Sequence, residues 1–144
     1  MHKLYIRSII LVFILALGSN ALADDTSANF QSAEIENAVL TLSDDGAYGD
    51  LRLRIVNNCS DKLTILGVMG AGNGQSFIMA RLDDINYANL GSITLLSEES
   101  LDLTTSHMFI RLSDFEEPLK VSQNIDLRLI LSNGELPFSA HVKR

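Results

Sequence analysis

Four side chains in this chain could hold a soft metal ion. His107 and Met108 are adjacent, Met79 sits in Phe77-Ile78-Met79-Ala80, and Met69 precedes the glycine-rich stretch Gly70-Ala71-Gly72-Asn73-Gly74. Imidazole and thioether are side chains that a soft metal such as Cu(I) would select, and thioethers suit Cu(I) better than zinc or calcium. Each residue also has a plainer reading. The methionines suit core filling, and His107 suits an exposed surface. Adjacent residues on a strand face opposite ways, so His107 and Met108 can share one ion only if one of them lies at a strand end.

Other chemistries find less support. Apart from His2 near the start, the histidines are His107 and His141, and no Gly-x-Ser-x-Gly elbow accompanies them. The carboxylate pairs Asp44-Asp45, Asp83-Asp84, Glu98-Glu99 and Glu116-Glu117 fall in turn-like segments, as solvated turns do. The chain therefore does not read as an enzyme. Ser43-Asp44-Asp45-Gly46 lacks the alternating oxygens and terminal Glu of a calcium loop. The glycines at 70–74 lack a following Gly-Lys-Ser/Thr and helix, so they read as an inter-strand loop. Cys59 is the sole cysteine, in the polar turn Asn57-Asn58-Cys59-Ser60-Asp61, and cannot form an internal disulfide.

The elements that must position these residues read as strands. Residues 48–56 alternate, with Leu51, Leu53 and Ile55 on one face and Arg52 and Arg54 on the other, which reads as solvated. Further strands are expected at 35–42, 63–68, 75–82, 93–96, 101–103, from 107 onward, at 125–131 and at 136–142. Asp83-Asp84-Ile85-Asn86 is a turn, and 113–117 is an acidic connection ahead of Pro118, a residue unsuited to a central strand. Ser132-Asn133-Gly134 is a hairpin signal. Short, closely spaced strands without helical periodicity predict an all-β antiparallel sandwich or barrel.

The first residues read as an export signal. His2, Lys3 and Arg7 give a basic start, residues 9–17 an apolar run, and Ala21-Leu22-Ala23 a small-residue cleavage site. The run is short against the roughly 20 residues a membrane span needs. The expected organisation is a signal at 1–23, a flexible leader at 24–34 and one domain at 35–144, periplasmic and with no stable membrane span after cleavage. Loss of Lys3 and Arg7 takes the formal net charge from −7 to −9. Such an acidic chain is unsuited to nucleic acid, which needs clustered Lys and Arg.

Taken in order, these segments resemble the periplasmic copper chaperone family PCu(A)C. The resemblance runs over 35–142. It rests on Leu51-Arg52-Leu53-Arg54-Ile55-Val56-Asn57-Asn58-Cys59-Ser60-Asp61, on Leu63-Thr64-Ile65-Leu66-Gly67-Val68, and on Pro118-Leu119-Lys120 followed by an alternating strand. It implies a cupredoxin-like Greek-key sandwich that binds Cu(I) and delivers it to an acceptor protein in cytochrome oxidase assembly. The family's ligands are a central His and Met and a later His-x-Met. His107 falls at the later His, Phe109 stands where the following Met is expected, and Met108 is adjacent. Met79 falls near the central His, and the second Met, near 85–90, has no counterpart. That segment looks shortened, and 111–117 lengthened. The resemblance implies a rebuilt site from Met79, His107 and Met108, with Met69 from the preceding loop. The alternative is an exported interaction module on the same sandwich that has lost metal binding and uses an exposed edge or loop for a protein partner.

Overall fold

The computed structural model describes residues 33–144, in which the regular elements are all strands. The expected signal lies outside the described residues, as does the leader except for Ala33 and Glu34, which already belong to the first strand. The strands are β1 (Ala33–Leu42), β2 (Tyr48–Asn57), β3 (Leu63–Met69), β4 (Asn73–Arg81), β5 (Tyr87–Asn89), β6 (Ile93–Leu95), β7 (Ser100–Asp102), β8 (Met108–Phe115), β9 (Asn124–Leu131) and β10 (Gly134–Lys143). They form one curled sheet in the order β5-β4-β8-β2-β1-β10-β9-β3-β6, with β7 also on β2. Among the described residues no helix is long and apolar enough to cross a membrane.

The all-β, cupredoxin-like expectation holds. One pairing departs from a purely antiparallel sheet: β1 runs parallel to β10, with Val39 opposite His141 and Thr41 opposite Lys143. These strands are joined through nearly the whole domain, so no tight turn between them dictates antiparallel pairing. The strand at 87–89 falls beside the expected 83–86 turn and is too short to show a period. The expected acidic connection at 113–117 is partly strand, because β8 continues to Phe115 against Asn73 of β4.

Period-two alternation builds the core. Leu51, Leu53 and Ile55 of β2 point inward and are fully buried, and Ile110 and Leu112 of β8 join them from the neighbouring strand. The far side of the curl supplies Ile65, Leu127 and Leu129. Where β3 comes round to β4, the Ser76 hydroxyl accepts from Val68 N–H at 2.9 Å. A Cβ on Gly67 would stand 2.9 Å from that same oxygen, so the close approach requires glycine.

Asn57, at the end of β2, ties two turns to the sheet. Its side chain is fully buried. Nδ2 donates to the carbonyls of Asp61 at 2.9 Å and Leu96 at 3.0 Å, and Oδ1 accepts from Cys59 N–H at 3.1 Å. Cys59 is thereby buried rather than set in an open polar turn, and its carbonyl accepts from the Ser97 hydroxyl at 2.7 Å. Asn57→Ala leaves these buried groups without partners, at an expected cost of about 1–3 kcal/mol. Urea unfolding should show the midpoint falling with an unchanged slope.

Candidate functional site

The β4–β8 ladder decides where the candidate ligands go. Its register sets Met79 opposite Phe109 and Ala80 opposite Met108. Cross-strand partners share a face and successive residues alternate. Met79, Phe109 and Arg111 therefore lie on the outer face of the sheet, and Met108 on the inner face, where it packs against the core. The ladder is prolonged by one bond, from Arg81 N–H to the His107 carbonyl at 2.8 Å. His107 is exposed, follows the parity of Phe109, and is the diagonal neighbour of Met79. Diagonal positions are about 7–8 Å apart, within reach of long side chains.

The other two methionines do not meet this pair. Met69 receives a contact at 3.5 Å from Nδ2 of the buried Asn73, at the opposite end of β4. Six residues of strand separate Asn73 from Met79, about 20 Å. Met108 is divided from Met79 by the sheet itself. His141 shares the outer face but stands on β10, four strands from β4 and so about 19 Å away. Its Nδ1 lies 3.1 Å from Asn124 Oδ1. Among the described residues no three His, Cys, Asp or Glu side chains group as a metal site. Met79 and His107 are the two candidate donors that the register leaves as diagonal neighbours, and a thioether with an imidazole suits Cu(I).

The loop carrying His107 is held by Arg52, which is not the solvated residue the alternation suggested. One edge of β2 pairs with β8 up to Leu51 and with β7 from Arg54 onward. Residues 103–107 cross the gap between those partners, and Leu103 N–H bonds the Leu53 carbonyl at 2.8 Å. Arg52 Nη1 donates into the gap, to the carbonyls of Leu103 and Ser106, both at 2.8 Å, and of Met108 at 3.3 Å. Arg54, by contrast, is exposed and pairs with Glu36.

Phe109 was expected to matter only as a missing methionine. It is 2% exposed, yet it lies outside the main core. Its burial comes from a second apolar layer on the outer face. The Tyr87 ring meets it edge-on at 5.9 Å, and the guanidinium carbons of Arg52 and Arg111 lie 5.6 Å and 5.2 Å from its centre. Arg111 also stacks on Tyr48 at 4.1 Å and forms a bidentate pair with Asp50 at 2.8 and 3.0 Å. That pair raises the Arg111 pKa further above its already high ordinary value. The signal for this layer was the unbroken run Met108-Phe109-Ile110, which requires cover on both faces of β8.

Removing the Arg52 guanidinium should release the His107 loop and uncover Phe109. Arg52→Ala is expected to cost about 2–3 kcal/mol, the range for hydrogen bonds from a charged donor together with a cation–ring contact. Hydrogen exchange should accelerate first at 103–108, with Arg52→Lys intermediate.

No protein-family model and no curated protein matches the chain. Solved structures do match in fold. The copper-bound PCuAC domain from PmoF2 aligns with a TM-score of 0.65 at 18% identity, over 78% of this chain and 92% of that one. The apo PCuAC domain from PmoF1 gives 0.63 at 18% identity, over 78% and 93%. Apo-DR1885 from Deinococcus radiodurans gives 0.51 at 14% identity, over 100% and 94%. The curled sheet that sets Met79 beside His107 is thus the fold of the PCuAC domains.

Proposed function

We propose that this is an exported, copper-binding chaperone-like protein that carries Cu(I) between Met79 and His107. In this reading it works in the periplasm and hands the ion to an acceptor protein, such as one in cytochrome oxidase assembly, by ligand exchange with no covalent step. The observation that carries it is the shared outer face of Met79 and His107 on adjacent strands. The fold likeness to a copper-bound PCuAC domain supports it. The chain's own residues have plain tasks. Met79 and His107 offer the donors, Arg52 fixes the loop that presents His107, and the Phe109 layer keeps water from the floor beneath them.

Two features favour the alternative, an interaction module without metal. The Met position of the family's His-x-Met is filled by the buried ring of Phe109. Arg81 is directly opposite His107 in the ladder. A positive charge some 7 Å from a bound cation costs about 1–2 kcal/mol at effective dielectrics between a protein surface and water, close to a tenfold loss of affinity. Such a penalty weakens a Cu(I) site without abolishing it.

Titration of the reduced protein with Cu(I) against a competing chelator separates the readings. The copper reading expects one ion per chain, at least tenfold weaker binding in both Met79→Ala and His107→Ala, and unchanged binding in Met69→Leu and Met108→Leu. Phe109→Met, which restores a His-x-Met pair on one face, should tighten binding while lowering stability. Absence of competition above background in the folded protein contradicts the copper reading and leaves the interaction module.

A further inference from the structure

The outer face extends well beyond Met79 and His107, and its charge opposes that of the molecule. The register carries one row from Met79 and Phe109 across Arg52 and Val39 to His141. A second runs from Phe77 and Arg111 across Asp50 and Thr41 to Lys143. With the flanking pair Arg81 and His107, these rows hold four Lys or Arg side chains against the single carboxylate of Asp50. The remainder of the described chain holds five against fifteen Asp and Glu. These two rows are therefore a local positive strip on an acidic protein, bounded on the same face by Arg54 with Glu36 and Asp102.

The cations on this face differ in their freedom. Arg52 is committed to loop carbonyls and Arg111 to Asp50, which makes them a rigid floor. Arg81 and Lys143 are exposed at opposite ends of the rows. Beside Lys143 a concavity of about 360 Å³ is lined by Asn37, Val39, Thr41, Arg52 and Thr104. Two cations, the Thr41 hydroxyl and the Asn37 amide form a seat suited to a carboxylate, the Thr104 hydroxyl being already given to Asp102. A bulge at Asn37, whose φ is +53°, interrupts the β1–β2 register beside the seat. Tyr48 and Tyr87 are partly exposed at the other side, at 37% and 40%. Exposed Tyr beside Arg is the composition of protein contact surfaces.

The geometry points to this face as the docking surface for an acidic segment of a partner protein, with one partner carboxylate seated between Arg52 and Lys143. Charge complementarity selects the occupant. A second copy of this chain or a nucleic acid would meet the net negative field of the whole molecule before reaching the face. Five strands by four residues' depth is about 20 by 13 Å, the scale of a transient contact rather than an obligate one. The inference stands whether or not copper is carried.

The test uses the isotope-labelled protein and, as probe, a labelled octapeptide of alternating Glu and Ala, with a Lys-Ala octapeptide as control. Amide shifts on titration should gather on β1, β2, β8 and the end of β10, and binding should weaken steeply with salt. Lys143→Glu and Arg81→Glu should each weaken binding at least fivefold. Lys62→Glu and Lys120→Glu, equal in charge change but off this face, should leave it within twofold. Equal losses in all four variants, shifts scattered over the surface, no binding of the acidic peptide, or tighter binding of a DNA oligonucleotide of matched charge would each overturn the proposal. Both face variants alter exposed side chains, so thermal unfolding serves as the check that they remain folded.

Discussion

Side chains on adjacent β-strands can meet only on the same face, and one register shift would send every one of them through the sheet. The site depends on this constraint. The register that sets Met79 opposite Phe109 puts His107 on the same side and sends Met108 into the core. Had β8 slipped by one residue, Met108 would stand outside beside Met79, and Phe109 would fill the interior. The register is fixed by what it buries: Ile78, Ile110 and Leu112 inward, Phe109 outward beneath Tyr87 and two guanidinium groups. The donor geometry is thus a by-product of packing on both sides of one ladder.

Packing alone would not hold His107, because the residues before β8 bond neighbouring strands through their backbone only at Leu103 and His107. β2 loses β8 after Leu51 and gains β7 at Arg54. The loop across that interval would leave several carbonyls facing a half-buried gap. Arg52 answers them with one nitrogen while its planar group covers Phe109, a combination that lysine's point charge cannot reproduce. Asn57 does the corresponding work at the other end of β2, where its amide joins the Cys59 turn to the chain after β6. One strand therefore anchors both the candidate site and the turns farthest along the same strand.

Much of this fold was legible from period-two alternation. The inward face of β2 and the β9–β10 hairpin about Ser132-Asn133 lie where the pattern put them. Three features were hidden for physical reasons. β5 has three residues, too few for a period. The parallel β1–β10 pairing joins segments about a hundred residues apart, and no local turn announces it. Arg52 and Arg54 look identical in sequence, yet only Arg52 faces the gap between β7 and β8. The candidate ligands were legible as donor types. Their sorting into Met79 with His107, and Met69 and Met108 elsewhere, required the register, since Met69 is near Met79 in sequence but at the far end of β4 in space.

The central claim is that parity selects one methionine as the partner of His107. Methyl-labelled methionine spectra recorded as Cu(I) is added read this choice residue by residue. The account predicts that the Met79 methyl resonance moves at stoichiometric copper while those of Met69 and Met108 stay in place. Movement of Met69 or Met108, or no movement of Met79 in the folded protein, would contradict it.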